Sequence, residues 1–365
     1  ARAGTDDRAR TSPLQDTKVS QNWSHVLGHQ PQHTTNAVTA STDSQSDPWC
    51  NAGCGRSHSY TRPMFVFHPL SESTRRDLIA GGLDPDAVAG IVRTAIAEDL
   101  MGGVDVTSTA TIDADQRATA TFGARERGVV AGLPVVAAVI ESVCGDSASE
   151  FRRLVDDGTL VEAGTLLAEV TAPTRLLLTA ERTALNLLCH LSGVASSTRR
   201  WADALAGTNA VVRDTRKTTP GLRALEKYAV RCGGGTNHRL GLSDMALVKD
   251  NHVVAAGGIT AAYRRVRALE ATIPVEIEVD SLDGLREAIA AGADEVLIDN
   301  FTPEEMRQAV ALRDELDASV RLEASGGLTL ESARAVAATG VDLIAVGELT
   351  HSARVLDIGL DLQDA

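Results

Sequence analysis

The sequence predicts an α/β protein with two domains, an N-terminal α/β sandwich domain and an incomplete parallel (β/α) barrel. Short apolar segments alternate with helical segments from about residue 210 onwards, which indicates a parallel sheet. Each strand–helix unit spans roughly 20–30 residues, as in a (β/α) barrel. There are six strand candidates, fewer than the eight strands of a complete barrel, and they cover residues 210–215, 245–250, 275–280, 295–300, 320–325 and 342–347.

The start of the chain differs in composition from the rest. Residues 1–70 are predicted to form a disordered N-terminal extension, because they are rich in Ser, Thr, Gln, Asp and His, with no apolar period upstream of the first helix. A C-x3-C-x3-H spacing admits a zinc site at Cys50, Cys54 and His58, with His68 beyond. Since no apolar framework surrounds these residues, the spacing favours an unstructured tail.

The α/β sandwich domain is predicted to span residues 71–188, and the C-terminal segment 351–365 is expected to return to it. The segment 84–100 carries a helical stripe of apolar residues. The glycines of DDGTLVEAGTLLAEVTAP (156–173) are spaced like the turns of a biotin- or lipoate-carrier domain. Such carriers need an exposed lysine, and residues 100–216 contain none, so these glycines are interpreted as structural turns.

The barrel domain is predicted to span residues 189–350. It follows a long helix that the sequence pattern places at residues 179–207. One barrel helix has a clear start signal, because Thr302 and Glu305 have the spacing of a capping box with Pro303 at the first helical position.

Composition excludes several classes of protein. The formal net charge of −14 argues against nucleic acid as the main partner. The sequence has no apolar run of about 18 residues, so a membrane span is not expected. The five cysteines show no disulfide framework, and no signal peptide is recognisable, which predicts a cytoplasmic location.

Positive charge is concentrated in one window of this acidic chain. Residues 213–249 hold eight Lys or Arg residues against three acids. The whole chain has only four lysines, and three of them lie in this window: Lys217, Lys227 and Lys249. Because arginine is a planar fork and lysine a compact point charge, the two do not interchange at a tight site. The window therefore predicts a site for anions.

Strand parity places acidic side chains on the inner face of the barrel. In VEIEVD (275–280), the apolar residues share one face, and the acids share the other. Glu276 and Glu323 lie deep, and we interpret them as a structural salt-bridge layer. Glu278, Asp299 and Lys249 lie at the carboxyl ends of strands, where the active sites of barrels form.

Two glycine-containing strand ends predict phosphate binding. Ser325, Gly326 and Gly327 lead into a helix that starts near Thr329, and Gly347 ends the last strand. Glycine loops at helix N-termini bind phosphate through backbone N–H groups. The loops after the last two strands are the usual position for phosphate in such barrels.

Long motifs in this order resemble one family. RDTRKTTPGLRALEKYAVRCGGGTNHRLGLSDMALVKDNH (213–252), VEIEVDS, LIDNF, LEASGG and AVGELTHS are similar to those of quinolinate phosphoribosyltransferase, the carboxylating nicotinate-nucleotide pyrophosphorylase. The resemblance runs from about Leu78 to the C-terminus. It implies the transfer of a phosphoribosyl group from phosphoribosyl pyrophosphate to quinolinate, with loss of CO2. Both substrates are polyanions, which accounts for the cationic window.

The resemblance also implies roles for individual residues. Quinolinate would be bound by Arg182, Thr215, Arg216, Lys217, His238, Arg239 and Lys249. Phosphoribosyl pyrophosphate would be bound by Lys217, Glu278, Asp299, Ser325, Gly326, Gly327, Val346, Gly347 and Glu348. The catalytic residues would be Lys217, Lys249, Glu278 and Asp299.

A magnesium ion, the cofactor that the resemblance implies, would be held mainly by the substrate diphosphate, near Glu278 and Asp299. The resemblance further implies a homodimer in which Arg182 reaches the site of the partner subunit, and it leaves room for a higher assembly of dimers. Two other functions stay open at this point. One is a related barrel phosphoribosyltransferase that acts on nicotinate, and the other is a barrel that binds phosphate sugars without chemistry.

Overall fold

The computed structural model describes residues 65–363. The C-x3-C-x3-H spacing and most of the predicted N-terminal extension lie outside these residues. Residues 65–70 fall within the predicted extension, yet Phe65, Phe67 and Leu70 pack against the hydrophobic core. The two phenylalanine rings make an edge-to-face contact at 5.2 Å between centroids. An apolar residue at every second position of a short extended segment places both rings on one side, a signal too short to stand out in the sequence.

An antiparallel sheet and its helices form the N-terminal domain. Its elements in chain order are α1 (Glu72–Ala80), α2 (Pro85–Leu100), α3 (Val106–Thr111), β1 (Arg117–Ala124), β2 (Gly128–Val129), α4 (Leu133–Cys144), β3 (Glu150–Arg153), β4 (Leu160–Val161), β5 (Leu166–Pro173) and α5 (Thr174–Ala204). Strand β5 lies between β1 and β3 and is antiparallel to both.

Asp157 connects this domain to the barrel. Helix α4 is apolar on nearly all sides and buried throughout, as expected of a core helix. The Asp157 carboxylate accepts hydrogen bonds from the backbone N–H groups of Gly132 (2.5 Å) and Leu133 (3.1 Å), where α4 begins. The same carboxylate accepts a hydrogen bond of 2.6 Å from the hydroxyl of Tyr228 in the barrel. One buried acid therefore ties a helix start in the first domain to the second domain.

The second domain alternates strands with helices. Its elements are β6 (Val211–Arg213), α6 (Arg223–Cys232), β7 (Ala246–Val248), α7 (Asp250–Ala256), α8 (Ile259–Leu269), β8 (Val275–Val279), α9 (Leu282–Ala291), β9 (Glu295–Asp299), α10 (Pro303–Leu316), β10 (Arg321–Ser325), α11 (Leu330–Ala337), β11 (Leu343–Ala345) and α12 (Glu348–His351). One further strand, β12 (Ile358–Leu362), follows α12. The predicted capping box is present at α10, since Thr302 and Glu305 exchange hydrogen bonds.

The six strands β6 to β11 form one parallel sheet in the order β6-β11-β10-β9-β8-β7. Each strand from β7 to β11 lies beside its neighbour in sequence, and β6 pairs with β11. Within residues 65–363, no ladder joins β6 to β7, so the barrel is open between them. The predicted α/β fold with an incomplete parallel barrel is thereby confirmed.

The end of the described chain lies in the N-terminal domain. Strand β12 pairs antiparallel with β1, and Ala120 lies opposite Leu362. Helix α5, 31 residues long, contacts both domains through packing of its buried face. None of the helices between residues 65 and 363 has the length and apolar character needed to cross a membrane.

Candidate active site

The carboxyl ends of the six parallel strands carry most of the predicted site residues. Neighbouring strands bring these residues together in three pairs of loops. The contacts that join them are between Lys217 and Gly347 (β6 and β11), Lys249 and Glu278 (β7 and β8), and Asn300 and Gly326 (β9 and β10).

Lys217 lies against the loop that follows β11. A Cβ built on Gly347 would lie 3.0 Å from Lys217 Cδ and 3.2 Å from His351 Nε2. The hydroxyl of Thr350 donates a hydrogen bond of 2.9 Å to the backbone carbonyl of Lys217. Glycine at position 347 therefore gives the lysine stem its space. Sequence reasoning did not select His351, although it lies within the quoted motif AVGELTHS.

Arg216 and Arg239 present unpaired donors. The Nε atom of each guanidinium is buried and has no hydrogen-bond partner among the described residues. Nη1 of Arg239 donates a hydrogen bond of 3.1 Å to the backbone carbonyl of Met245, which fixes the side chain. Burial and the charge of Arg216 lower the pKa of the Arg239 guanidinium. Two partly buried cations, each with one buried and unmet donor, are costly unless an anion completes them.

His238 is buried, and both of its ring nitrogens are used within the protein. Nδ1 accepts a 2.6 Å hydrogen bond from the backbone N–H of Arg239, and Nε2 lies 2.8 Å from Oε2 of Glu276. Because Nδ1 accepts, Nε2 carries the proton and the ring is neutral. Burial lowers the pKa of His238 to about 4, in keeping with a neutral ring. A direct contact of His238 with quinolinate requires one of these nitrogens to be released.

A layer of charged side chains lies below the site, inside the barrel. Arg213 Nη1 donates to Glu295 Oε2 at 2.6 Å and to Glu323 Oε2 at 2.7 Å. Burial raises the pKa of the Glu276 and Glu323 carboxyls to about 7 each. Ligand-type atoms of His238, Glu276 and Glu323 lie within 4.8 Å of one another. Arg213 already supplies positive charge beside Glu323.

Lys227, one of the three clustered lysines, has a structural role. Its ammonium group is buried, contacts the Asp214 carboxylate, and donates a 2.9 Å hydrogen bond to the carbonyl of His238. Asp214 also accepts a 2.8 Å hydrogen bond from the backbone N–H of His238. Sequence reasoning missed this pair, because Asp214 at the end of β6 has the same position as the functional acids. The pair holds His238 and Arg239 in place at the mouth.

Lys249 and Glu278 form an ion pair at the mouth. Oδ2 of Asp299 accepts a 2.7 Å hydrogen bond from the side chain of Asn300. The hydroxyl of Thr215 accepts a 3.0 Å hydrogen bond from the backbone N–H of Lys217, so it shapes the loop that carries the lysine.

The predicted phosphate loop has glycines in the left-handed region. Gly326 has φ +91° and Gly327 has φ +58°, and α11 begins immediately beyond, with Thr329 as its N-cap. Val346 is buried, and its backbone N–H donates to the carbonyl of Arg213 at 2.9 Å. Glu348 accepts a 3.1 Å hydrogen bond from the indole N–H of Trp201. The Glu348 carboxylate therefore anchors its loop to α5.

Arg182 lies apart from the mouth of the barrel. It is exposed on α5, and no hydrogen bond or ion pair joins it to another residue of the described chain. Thr179, three residues earlier, contacts Asp105 at the start of α3 at 3.4 Å. The other predicted site residues lie at the carboxyl ends of the barrel strands, in the loops that follow them or, for His238 and Arg239, in the segment between α6 and β7.

Glu278 and Asp299 fit the chemistry of a magnesium site. Each carboxylate has one oxygen held by a neighbouring side chain, Lys249 or Asn300. The second oxygen of each, Oε1 of Glu278 and Oδ1 of Asp299, makes no hydrogen bond to the described residues. Carboxylate oxygens are ligands that Mg2+ prefers, usually together with substrate phosphates.

Comparison with known sequences assigns the chain to a family. The profile described as "Quinolinate phosphoribosyl transferase, C-terminal domain" matches residues 194–361, and the corresponding N-terminal domain matches residues 105–192. The chain belongs to the quinolinate phosphoribosyltransferase family. The division between the two matches falls within α5.

Curated relatives and solved structures agree with this assignment. The chain is 51% identical over 277 residues to the nicotinate-nucleotide pyrophosphorylase [carboxylating] of Mycobacterium leprae, covering 76% of this chain and 98% of the relative. It is 42% identical over 266 residues to the probable enzyme of the same name from Bacillus subtilis, covering 73% and 90%. The nicotinate-nucleotide pyrophosphorylase structure from Francisella tularensis matches with a TM-score of 0.73 at 39% identity, covering 77% of this chain and 98% of that one.

Proposed function

We propose that this protein transfers the phosphoribosyl group of phosphoribosyl pyrophosphate to quinolinate, giving nicotinate mononucleotide, CO2 and diphosphate. The observation that carries the proposal is the pair of buried, unpartnered Nε atoms on Arg216 and Arg239. Two neighbouring guanidinium groups suit a ligand with two adjacent carboxylates, because arginine forks pair with carboxylates. Nicotinate has one carboxylate and would leave one of these donors unmet.

The site residues would act mainly by binding and orienting the substrates. Arg216, Arg239 and Lys249 hold the quinolinate carboxylates. His238 acts through Arg239, since its ring accepts the Arg239 backbone N–H. Backbone N–H groups of the loops at residues 325–327 and 347–348 hold the 5-phosphate, whereas the N–H of Val346 already donates to the Arg213 carbonyl.

Bond cleavage at C1 of the ribose places positive charge on the sugar. Glu278 and Asp299, at the ends of β8 and β9, stabilise that charge electrostatically. Lys217 stabilises the departing diphosphate. Mg2+, held by the diphosphate near Glu278 and Asp299, would neutralise negative charge on the leaving group.

The pyridine nitrogen attacks C1 without needing a general base, because it carries a free lone pair. The ring of the product is then cationic at nitrogen, which stabilises the carbanion left when the 2-carboxylate departs as CO2. That carbanion takes a proton from water, which balances the reaction. Each of these roles is a proposal for the residue named.

The assembly and location are proposed on separate grounds. An exposed Arg182 with no bonding partner in the described chain supports a homodimer in which this arginine reaches the partner subunit's site. A cytoplasmic location and a higher assembly of dimers stay predictions.

Turnover with quinolinate and with nicotinate, each with phosphoribosyl pyrophosphate and Mg2+, tests the proposed reaction. Quinolinate labelled at the 2-carboxylate should release labelled CO2 in step with diphosphate, and nicotinate should turn over at least about a hundredfold more slowly. Arg239→Lys keeps the charge and removes the fork, so it should raise KM for quinolinate. Equal turnover of both substrates, or diphosphate without CO2, would refute the assignment.

A mixed dimer tests the role of Arg182. Arg182→Ala and Lys249→Ala should each be nearly inactive alone. If the arginine acts in the partner's site, each mixed dimer has one site with both defects and one with neither. Re-equilibrating the two variants should then restore up to about half of wild-type turnover per mixed dimer. No recovery, with subunit exchange verified by mass, would place Arg182 in its own chain's site or outside any site.

A further inference from the structure

Asn300 has a left-handed backbone conformation that is uncommon for residues other than glycine, although asparagine tolerates it better than most. It directly follows β9 with φ 60°, in the left-handed region. Met101 is the only other non-glycine residue with positive φ in the described part of the chain. Residues held in this region by their surroundings cluster at functional sites, where the strain serves a purpose.

The contacts of Asn300 link two predicted parts of the site. Its side-chain amide donates a hydrogen bond of 2.7 Å to Oδ2 of Asp299. Its backbone N–H donates a second hydrogen bond, of 3.0 Å, to the carbonyl of Ser325. A Cβ built on Gly326 would collide with Asn300 Oδ1 and lie 2.8 Å from its backbone nitrogen. The residue therefore lies between the acid at the end of β9 and the glycine loop at the end of β10.

The hydrogen bond to Asp299 also limits what that carboxylate can do. With Oδ2 held by the Asn300 amide, Oδ1 is the oxygen without a hydrogen bond inside residues 65–363. A carboxylate on a strand end has free rotation about its last bond, and one fixed hydrogen bond removes that freedom. The free oxygen is then held in one direction relative to the loop that follows β10.

We propose that Asn300 is a positioning residue that fixes the Asp299 carboxylate relative to the Ser325–Gly327 loop, so that the ribose and the 5-phosphate of phosphoribosyl pyrophosphate are held at a set separation. This inference rests on the proposed function of the site. Asn300 itself need not touch the substrate. Its effect should fall on phosphoribosyl pyrophosphate and spare quinolinate, because Arg216 lies in the loop after β6 and Arg239 in the segment between α6 and β7.

A simpler explanation is that asparagine is present only because it tolerates φ > 0. Asn300→Gly separates the two explanations, since glycine adopts the same backbone without strain and lacks the amide. Asn300→Asp keeps the size of the side chain and the tolerance for the left-handed region, but it replaces the donor by a second carboxylate beside Asp299.

The experiment measures steady-state kinetics of the full chain and both variants, varying each substrate at saturation of the other. We expect Asn300→Gly to lower kcat/KM for phosphoribosyl pyrophosphate by about tenfold or more, the scale of one hydrogen bond to a charged group. KM for quinolinate should stay unchanged. Asn300→Asp should lose more activity than Asn300→Gly, because two carboxylates repel. Wild-type kinetics in Asn300→Gly would overturn the proposal, and so would an equal loss for both substrates.

Stability measurements complete the test. Met101→Gly is the matched control, since within residues 65–363 Met101 is the other non-glycine residue with positive φ. In both variants glycine relieves the left-handed strain but adds freedom to the unfolded chain, so both should keep a Tm close to that of wild type. A fall in Tm for Asn300→Gly alone would show that the side chain supports the fold, which would overturn the positioning role. If the wild-type chain itself does not turn over quinolinate, the proposed function fails first. Normal wild-type turnover with normal Asn300→Gly kinetics refutes only the inference about Asn300.

Discussion

The inside of the barrel and its mouth both contain charged side chains, but the two regions treat them differently. Inside, Arg213 bridges Glu295 and Glu323, and Glu276 accepts from His238. At the mouth, the Nε atoms of Arg216 and Arg239 are buried and have no partner in the described chain. Each charged side chain inside pairs with another residue through at least one atom, although Oε1 of Glu276 and Oε1 of Glu323 are buried without a hydrogen bond. At the mouth it is cationic donors that are left without a partner, and these suit an anion.

The difference separates structural from functional charges on the same strands. Successive side chains of a strand point to opposite faces of the sheet. Glu276 and Glu278 are two residues apart, so both point into the barrel. Glu276 is fully buried, while Glu278, two residues further on, is partly exposed and pairs with Lys249. Depth along the strand thus decides whether an inward acid faces another side chain or a ligand.

Removing Arg213 should have the largest effect on stability. Arg213→Met leaves Glu295 and Glu323 without their shared partner, and breaking a buried ion pair from one side costs about 3–5 kcal/mol. Urea unfolding should show this loss in the free energy of unfolding. Arg321→Met is the matched control, because Arg321 also contacts Glu295 but is largely exposed, and such pairs contribute about 1 kcal/mol or less. Equal losses in the two variants would remove the distinction between inside and surface.

The buried carboxyls should make stability depend on pH. The pKa of Glu323 is raised from 4.5 to about 7 in the folded protein. The folded state therefore binds this proton more tightly than the unfolded state, and the contribution of Glu323 to the free energy of unfolding falls as pH rises from about 4.5 to about 7. His238 contributes the opposite slope: its pKa is lowered from 6.5 to about 4 in the folded protein, so between these values the unfolded state binds a proton that the folded state does not.

Glu323→Gln should remove one of these titrations. A pKa shift of one unit corresponds to about 1.4 kcal/mol. Between pH 5 and pH 8 the free energy of unfolding of the variant should therefore fall by less than that of wild type, and the difference should be on the order of 3 kcal/mol. Urea midpoints at both pH values measure this difference in slope, and the slope is independent of any uniform cost of the substitution. Parallel pH profiles for variant and wild type would mean that Glu323 is ionised at both pH values.

At the mouth, Lys217→Arg should lower turnover and spare stability. The lysine stem runs past Gly347, where a Cβ would lie only 3.0 Å from Lys217 Cδ. A planar fork at the end of this stem keeps the charge but does not reproduce the compact ammonium group. We expect turnover with quinolinate to fall by about a hundredfold or more, the scale of one lost electrostatic donor. Lys217→Met, which also removes the charge, should lose at least as much. Near-normal turnover in Lys217→Arg would show that only the charge of this side chain matters.

The sequence predicted the barrel well because its signals are local. The alternation of strands and helices, the parity of VEIEVD and the capping box at Thr302 each depend on a few adjacent residues. It could not predict that Lys227 pairs with Asp214 or that Asp157 caps α4, since both partners become neighbours only in the folded chain. The left-handed conformation of Asn300 was equally hidden, because LIDNF contains no glycine to indicate it.

Deleting residues 1–62 should have the smallest effect. The inner layer and the mouth, as described, lie within residues 65–363, so this deletion removes none of their residues. Turnover with quinolinate should stay within about tenfold of the full chain, a difference of about 1.4 kcal/mol. Deleting residues 1–70 is the contrasting variant, because it also removes Phe65, Phe67 and Leu70 from the core. That deletion should lower the free energy of unfolding by at least about 1 kcal/mol, since even partly buried apolar side chains stabilise the fold. A loss of turnover beyond tenfold in the shorter deletion, with unchanged stability, would mean that the mouth depends on the first 62 residues.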